Sequence, residues 1–150
     1  MSAGLVVAMV IGIVVVVLAV VVFVARFALA GMRRAAEATL AKTFAPGEAV
    51  RSDPVANFFG LASKGGAQVR GNGALVLTDT QLWFQRAGSH APLEIPLASV
   101  TSVDIVRSHA GKSVGRDLLR VSLDADSAAW YVRDPAGWRE EIQRRCAGAS

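Results

Sequence analysis

The sequence predicts a mainly-β fold: an N-terminal transmembrane α-helix, then about seven antiparallel strands closed by a C-terminal α-helix. Three observations predict it. Residues 5–24 form an apolar run with no charged or strongly polar side chain. Between residues 55 and 133, short runs of alternating apolar and polar residues recur with Gly, Asn and Asp turn signals between them. After Asp134 the apolar residues Trp138, Ile142 and Cys146 recur every four positions, the spacing of one helix face.

At about 1.5 Å rise per residue, a helix over residues 5–24 spans roughly 30 Å, the thickness of a hydrocarbon core. Val dominates the run, and β-branched residues favour strands in water. A lone strand cannot satisfy its backbone in lipid, whereas a helix can, so a transmembrane helix follows. The run contains no ionisable side chain, which points to a tether rather than an ion or proton pathway.

Its flanks give a direction. The first 25 residues carry no charge, whereas Arg26, Arg33, Arg34 and Lys42 follow the run against the single acid Glu37 before Pro46. Positive residues stay on the cytoplasmic side, so the expectation is a single-pass protein of the cell membrane, N-terminus outside and C-terminal domain cytoplasmic. Those four basic residues are the candidate membrane contacts, with Arg26 able to snorkel to the headgroups. A cleaved signal peptide is the competing reading, since Ala28-Leu29-Ala30 has the small-x-small form of a cleavage site. The uncharged start, the long apolar run and the position of Arg26 before that site favour the anchor.

Residues 1–25 are therefore assigned to the anchor and 26–46 to a basic juxtamembrane helix and linker that ends where Ala45-Pro46-Gly47 breaks the helix. The domain is assigned to residues 47–146 and a tail to 147–150. Its expected strands are 55–62, 74–78, 81–85, 93–97, 100–108, 118–123 and 128–133. Residues 64–73, with four Gly and an Asn, are expected as a loop or wide turn. Residues 107–116 are expected as a hairpin loop, and Asp124-Ala125-Asp126 as a turn. Asp134 reads as the N-cap of the last helix with Pro135 at its first position, and its acids precede Arg144 and Arg145 as the helix dipole prefers.

Residues 73–84, Gly-Ala-Leu-Val-Leu-Thr-Asp-Thr-Gln-Leu-Trp-Phe, followed by 95–103, Ile-Pro-Leu-Ala-Ser-Val-Thr-Ser-Val, resemble the GRAM branch of the pleckstrin-homology (PH)-like domains, in a membrane-anchored bacterial type. That family's pattern is a G-x-L-x-L-T-x-x-x-L-x-F hairpin, then an I-P-L-x-x-I-x-x-V strand pair. Trp130-Tyr131-Val132 and Asp134 to Trp138 are similar to its closing strand and aromatic helix. The resemblance covers residues 47–146 and implies a seven-stranded bent sheet plugged at one end by the C-terminal helix. It also implies binding of membrane lipids, peptides or proteins. Many PH domains carry a dense basic cluster around their first loop; this chain offers only Lys64 and Arg70 there.

From residue 47 onward the chain holds 12 Lys+Arg against 11 Asp+Glu, so the domain is nearly neutral and most of the net +4 belongs to the juxtamembrane stretch. That distribution speaks for headgroup contact and against nucleic acid. The second basic concentration is Arg107, Lys112 and Arg116. With Lys64 and Arg70 these are the candidate lipid- or partner-binding residues. Gly111-Lys112-Ser113 imitates the end of a phosphate-binding loop, but Val106 stands where the motif needs Gly.

No catalytic, cofactor or metal constellation is evident. His90 and His109 are far apart and expected at the surface beside turns, Asp124 and Asp126 lack the rest of a calcium loop, and Cys146 is the sole cysteine. Trp83, Trp130 and Trp138 are expected as core anchors. The expected function is a non-enzymatic binding or scaffolding domain displayed at the cytoplasmic face, with membrane lipids and a neighbouring membrane protein as partners and no cofactor. The alternative is a structural or accessory subunit of a membrane complex that uses its transmembrane helix as an interaction surface.

Overall fold

A single helix, α1 (Ala3–Thr43), runs from the apolar segment through the basic stretch without a break. The computed structural model describes residues 3–148. Residues 1 and 2 of the N-terminal flank, and 149 and 150 of the tail, lie outside the described residues. The chain divides between Ala35 and Ala36 into two compact units.

In the first unit the apolar side chains of α1 are exposed along its length, with Leu5 at 58% and Phe23 at 70%. Among the described residues α1 is the one helix long and apolar enough to cross a membrane. Arg26, Arg33 and Arg34 lie on it, exposed.

The second unit starts with the last turns of α1. Ala36, Leu40 and Phe44, spaced by four, present one face that packs on Ala74, Val76 and Trp83. Phe44 meets Trp83 edge to face at 5.2 Å between ring centroids. The helix ends there: Pro46 cannot continue it, and the Glu48 carboxylate accepts the Ala45 N–H at 2.9 Å.

The sheet comprises β1 (Arg51–Leu61), β2 (Gly71–Leu77), β3 (Gln81–Arg86), β4 (Leu93–Pro96), β5 (Val100–His109), β6 (Lys112–Leu123) and β7 (Ser127–Tyr131). All pairings are antiparallel, in the order β4-β3-β2-β1-β7-β6-β5. The C-terminal helix α2 (Pro135–Gly148) follows. A seven-stranded curled antiparallel sheet with a closing helix is the fold the sequence predicts.

The curl is built into β1. Its first part pairs with β2 and its last part with β7, and register shifts interrupt the ladders between Asp53 and Ala56 and between Phe58 and Gly60. Pro54 has no N–H to give the ladder, which accounts for the first shift. At the second, Gly60 has φ of 107°, a conformation that disfavours residues with a Cβ, and the Gln68 side chain fills the space a Cβ would need.

Inside the curl, Phe58, Phe84 and Trp130 form an aromatic cluster with centroids 5.1–6.1 Å apart. Leu75, Leu77, Leu119 and Val121 fill the space around it. Trp138 and Ile142 of α2 are buried in this core, with Cys146 packed at its margin, as the four-residue stripe predicts. Asp134 caps α2 by accepting the Gly137 N–H at 3.1 Å and pairs with Arg51 at 2.7 Å. All three tryptophans are buried, although Trp83 anchors the outer face under α1 rather than the inner core.

Three local expectations change. The first strand begins at Arg51 rather than residue 55, because pairing resumes on the other side of Pro54. Residues 64–73 are not one loop: a 3-10 segment, Ala62–Ala67, is followed by β2 from Gly71. The loop expected over 107–116 is two strands joined by Ala110-Gly111, whose φ values of 48° and 76° suit the tight turn of a two-residue hairpin. Cross-strand bonding extends the hairpin where the local composition of Gly, Ser and charged residues suggests irregular chain.

Candidate functional site

The long β5–β6 hairpin builds the principal candidate surface. Its register shifts between Val106 and Ser108, and beyond that point its tip meets β1. The His109 Nε2–H donates to the Gly60 carbonyl at 2.9 Å, and His109 is 6% exposed. The expected surface histidine is therefore a latch between the hairpin tip and β1, and tertiary folding is what buries it. Burial holds the imidazole below its ordinary pKa; the bond to Gly60 works the other way, while the Arg120 and Arg70 charges lower it further and Asp126 raises it.

The first loop is fastened in the same region. Gln68 accepts the Leu61 N–H at 2.6 Å and donates to the Leu61 and Gly65 carbonyls, both at 2.7 Å. Asp126 accepts from the Ser63 N–H at 2.9 Å, the Ser63 hydroxyl at 2.5 Å and the Ser127 N–H at 2.7 Å. Partial burial works to raise the Asp126 carboxyl, but these bonds outweigh it and leave it below the usual carboxylate range. Asp126 thus binds two turns together.

The candidate basic residues separate into distinct roles. Arg70 donates to the Gly65 carbonyl at 3.3 Å, and its charge acts on His109 at the hairpin tip. Lys112 pairs with His109 across the turn and is exposed, as is Lys64 on the 3-10 segment. Arg107 is held by Asp117 at 3.1 Å. Arg116 instead lies over the Tyr131 ring, 5.3 Å from its centroid. Lys42 is exposed near the end of α1.

Around Arg116 the sheet forms a pocket. Asn57 stands opposite Tyr131, and the pairing of Leu119 with Trp130 sets Leu118 beside Tyr131 on the same outer face. Phe59 and Val114 complete a pocket of about 190 Å³, with Leu118 fully buried. Phe59, Leu118 and Tyr131 line this pocket although no motif in the sequence marks them as site residues. The alternation over 128–133 could have placed Tyr131 opposite in direction to Trp130; nothing in the sequence places Phe59, which sits at a register shift.

A second depression, about 270 Å³, lies between residues 100–104 of β5 and Gln143 and Cys146 of α2. β5 is an edge strand, and Gln143 donates to its Val103 carbonyl at 3.3 Å. Burial pushes the Cys146 thiol above its ordinary pKa. Among the described residues no group of His, Cys, Asp and Glu is placed to hold a metal ion.

No family model and no curated protein matches this sequence. Among solved structures, the chain is similar to the C-terminal domain of an unknown protein from Leishmania infantum, at 15% identity and a TM-score of 0.49, covering 79% of this chain and 98% of that one. It is also similar to a chain of the 8S snRNP assembly intermediate, at 12% identity and a TM-score of 0.48, covering 68% of this chain and 81% of that one.

Proposed function

We propose that this is a single-pass membrane protein whose GRAM-like domain serves as a non-catalytic binding module at the cytoplasmic face of the cell membrane. The observation that carries the reading is α1: a helix long and apolar enough to cross a bilayer, with its apolar side chains exposed rather than packed in a core. In water that surface is costly, at roughly 25 cal/mol per Å² of apolar area, and lipid removes the cost. The basic residues Arg26, Arg33, Arg34 and Lys42 support the orientation with the domain inside.

Tethering raises the effective concentration of the domain toward anything on the same membrane, so weak contacts suffice. Lipid headgroups and a neighbouring membrane protein are the partners this reading admits. Lys64, Arg70, Lys112 and Arg116 are the contacts it favours; Arg107, already paired with Asp117, contributes less.

Topology tests the reading directly. With Cys146 replaced by Ala, single cysteines introduced at Gly4 and at Gly148 are labelled in intact cells with an impermeant maleimide. The expected result is labelling at position 4 only. Labelling at 148 overturns the cytoplasmic assignment. Exchanging residues 5–24 for an unrelated apolar helix separates a tether, which keeps its partners, from a subunit that docks through the helix, which loses them.

A further inference from the structure

We propose that the Arg116–Tyr131 pocket is a docking site for an acidic protein segment that inserts one apolar side chain and pairs an adjacent carboxylate with Arg116. This deepens the reading of the domain as a binding module and rests on it.

Size, lining and charge point to that occupant. About 190 Å³ accommodates one large side chain, below the roughly 300 Å³ where small-molecule sites usually begin. Phe59, Val114 and the Tyr131 ring supply apolar contact over a floor backed by Leu118, and the Asn57 amide can hydrogen-bond a partner backbone. Arg120 is paired with Asp104 and Arg107 with Asp117, but among the described residues Arg116 has no carboxylate partner. Its guanidinium is instead oriented by the Tyr131 ring, which leaves its donors available for a carboxylate. Tyr and Arg side by side at the edge of an apolar pocket are the residue types that dominate protein interfaces. A protruding side chain enters between Phe59, Val114 and Tyr131, whereas a planar lipid surface meets only the rim. The His109–Gly60 bond fastens the hairpin that carries Val114 and Arg116, and so preserves the pocket's shape.

The test uses the full chain in neutral-lipid nanodiscs and three fluorescein-labelled peptides: Phe flanked by Glu, Phe flanked by Lys, and Ala flanked by Glu. The expected result is that the Glu-flanked Phe peptide binds tightest. Arg116→Glu is expected to weaken it about tenfold or more while admitting the Lys-flanked peptide, as a charge swap requires. Equal binding of all three peptides, absence of binding, or indifference to Arg116→Glu overturns the proposal. Loss of binding in Thr101→Lys with Arg116→Glu unaffected moves the contact to the β5–α2 groove; the binding module then survives and the pocket does not. Displacement of the peptide by phosphatidylserine in the nanodisc assigns the pocket to lipid and also overturns it.

Discussion

His109 offers the sharpest check on how the hairpin is held. In His109→Ala the Gly60 carbonyl loses the donor at 2.9 Å in a buried setting. Leaving such a group unsatisfied costs about 1–3 kcal/mol, and for a domain of this size each kcal/mol moves the unfolding midpoint by about 4–8 °C. His109→Gln keeps an N–H donor and recovers part of the loss. The two variants also separate hydrogen bonding from protonation. Because the folded pKa of His109 is lowered from 6.5, the unfolded chain takes up a proton that the native chain resists. The stability His109 contributes is therefore complete above about pH 6.5 and is lost as pH falls through the folded pKa. Asp126 and Asp134, both held below 3.8, titrate in a more acid window and leave this one clear. Urea unfolding of the full chain in micelles, followed by tryptophan fluorescence at pH 8 and pH 5, is the assay. The wild-type advantage over His109→Gln should be largest at pH 8 and shrink toward pH 5. A constant or widening advantage refutes the latch.

Three further outcomes follow from the packing. Phe44→Ala removes the ring that meets Trp83 and should cost about 2–4 kcal/mol, since Phe44 is 9% exposed; faster amide exchange over residues 36–44, with the α2 core unchanged, is the signature. Ile142→Ala leaves a cavity between α2 and the sheet and should cost about 2–5 kcal/mol, read as a lower urea midpoint together with faster alkylation of Cys146. Replacing Val14 and Val15 by Arg places two charges mid-helix at about 2.5–3.5 kcal/mol each and should abolish membrane insertion, measured by carbonate extraction; undiminished integral membrane association would contradict the anchor.

Much of the architecture is readable from local pattern. The unbroken apolar run reads as one long helix with an exposed apolar surface, and the structure bears this out, because helix length and composition depend only on consecutive side chains. The stripe of Trp138, Ile142 and Cys146 and the capping role of Asp134 are likewise local, and the structure reproduces them. The alternation of Leu119 and Val121 against Arg120 and Ser122 gives a face to β6 before any partner strand is known.

What the tertiary structure alone decides depends on groups distant in the chain. β2 is buried on both faces because Ala36, Leu40 and Phe44 cover Ala74 and Val76, so its residues do not alternate in burial. Residues 107–116 look like a loop until the opposite strand supplies hydrogen-bond partners, and His109 looks exposed until the curl of β1 brings Gly60 to it. The pocket around Arg116 likewise requires Asn57 and Phe59 of β1, Leu118 of β6 and Tyr131 of β7 on one outer face. The apolar run is therefore a property of consecutive side chains in the sequence. The candidate binding surface is a property of strand register and curl, which long-range pairing sets.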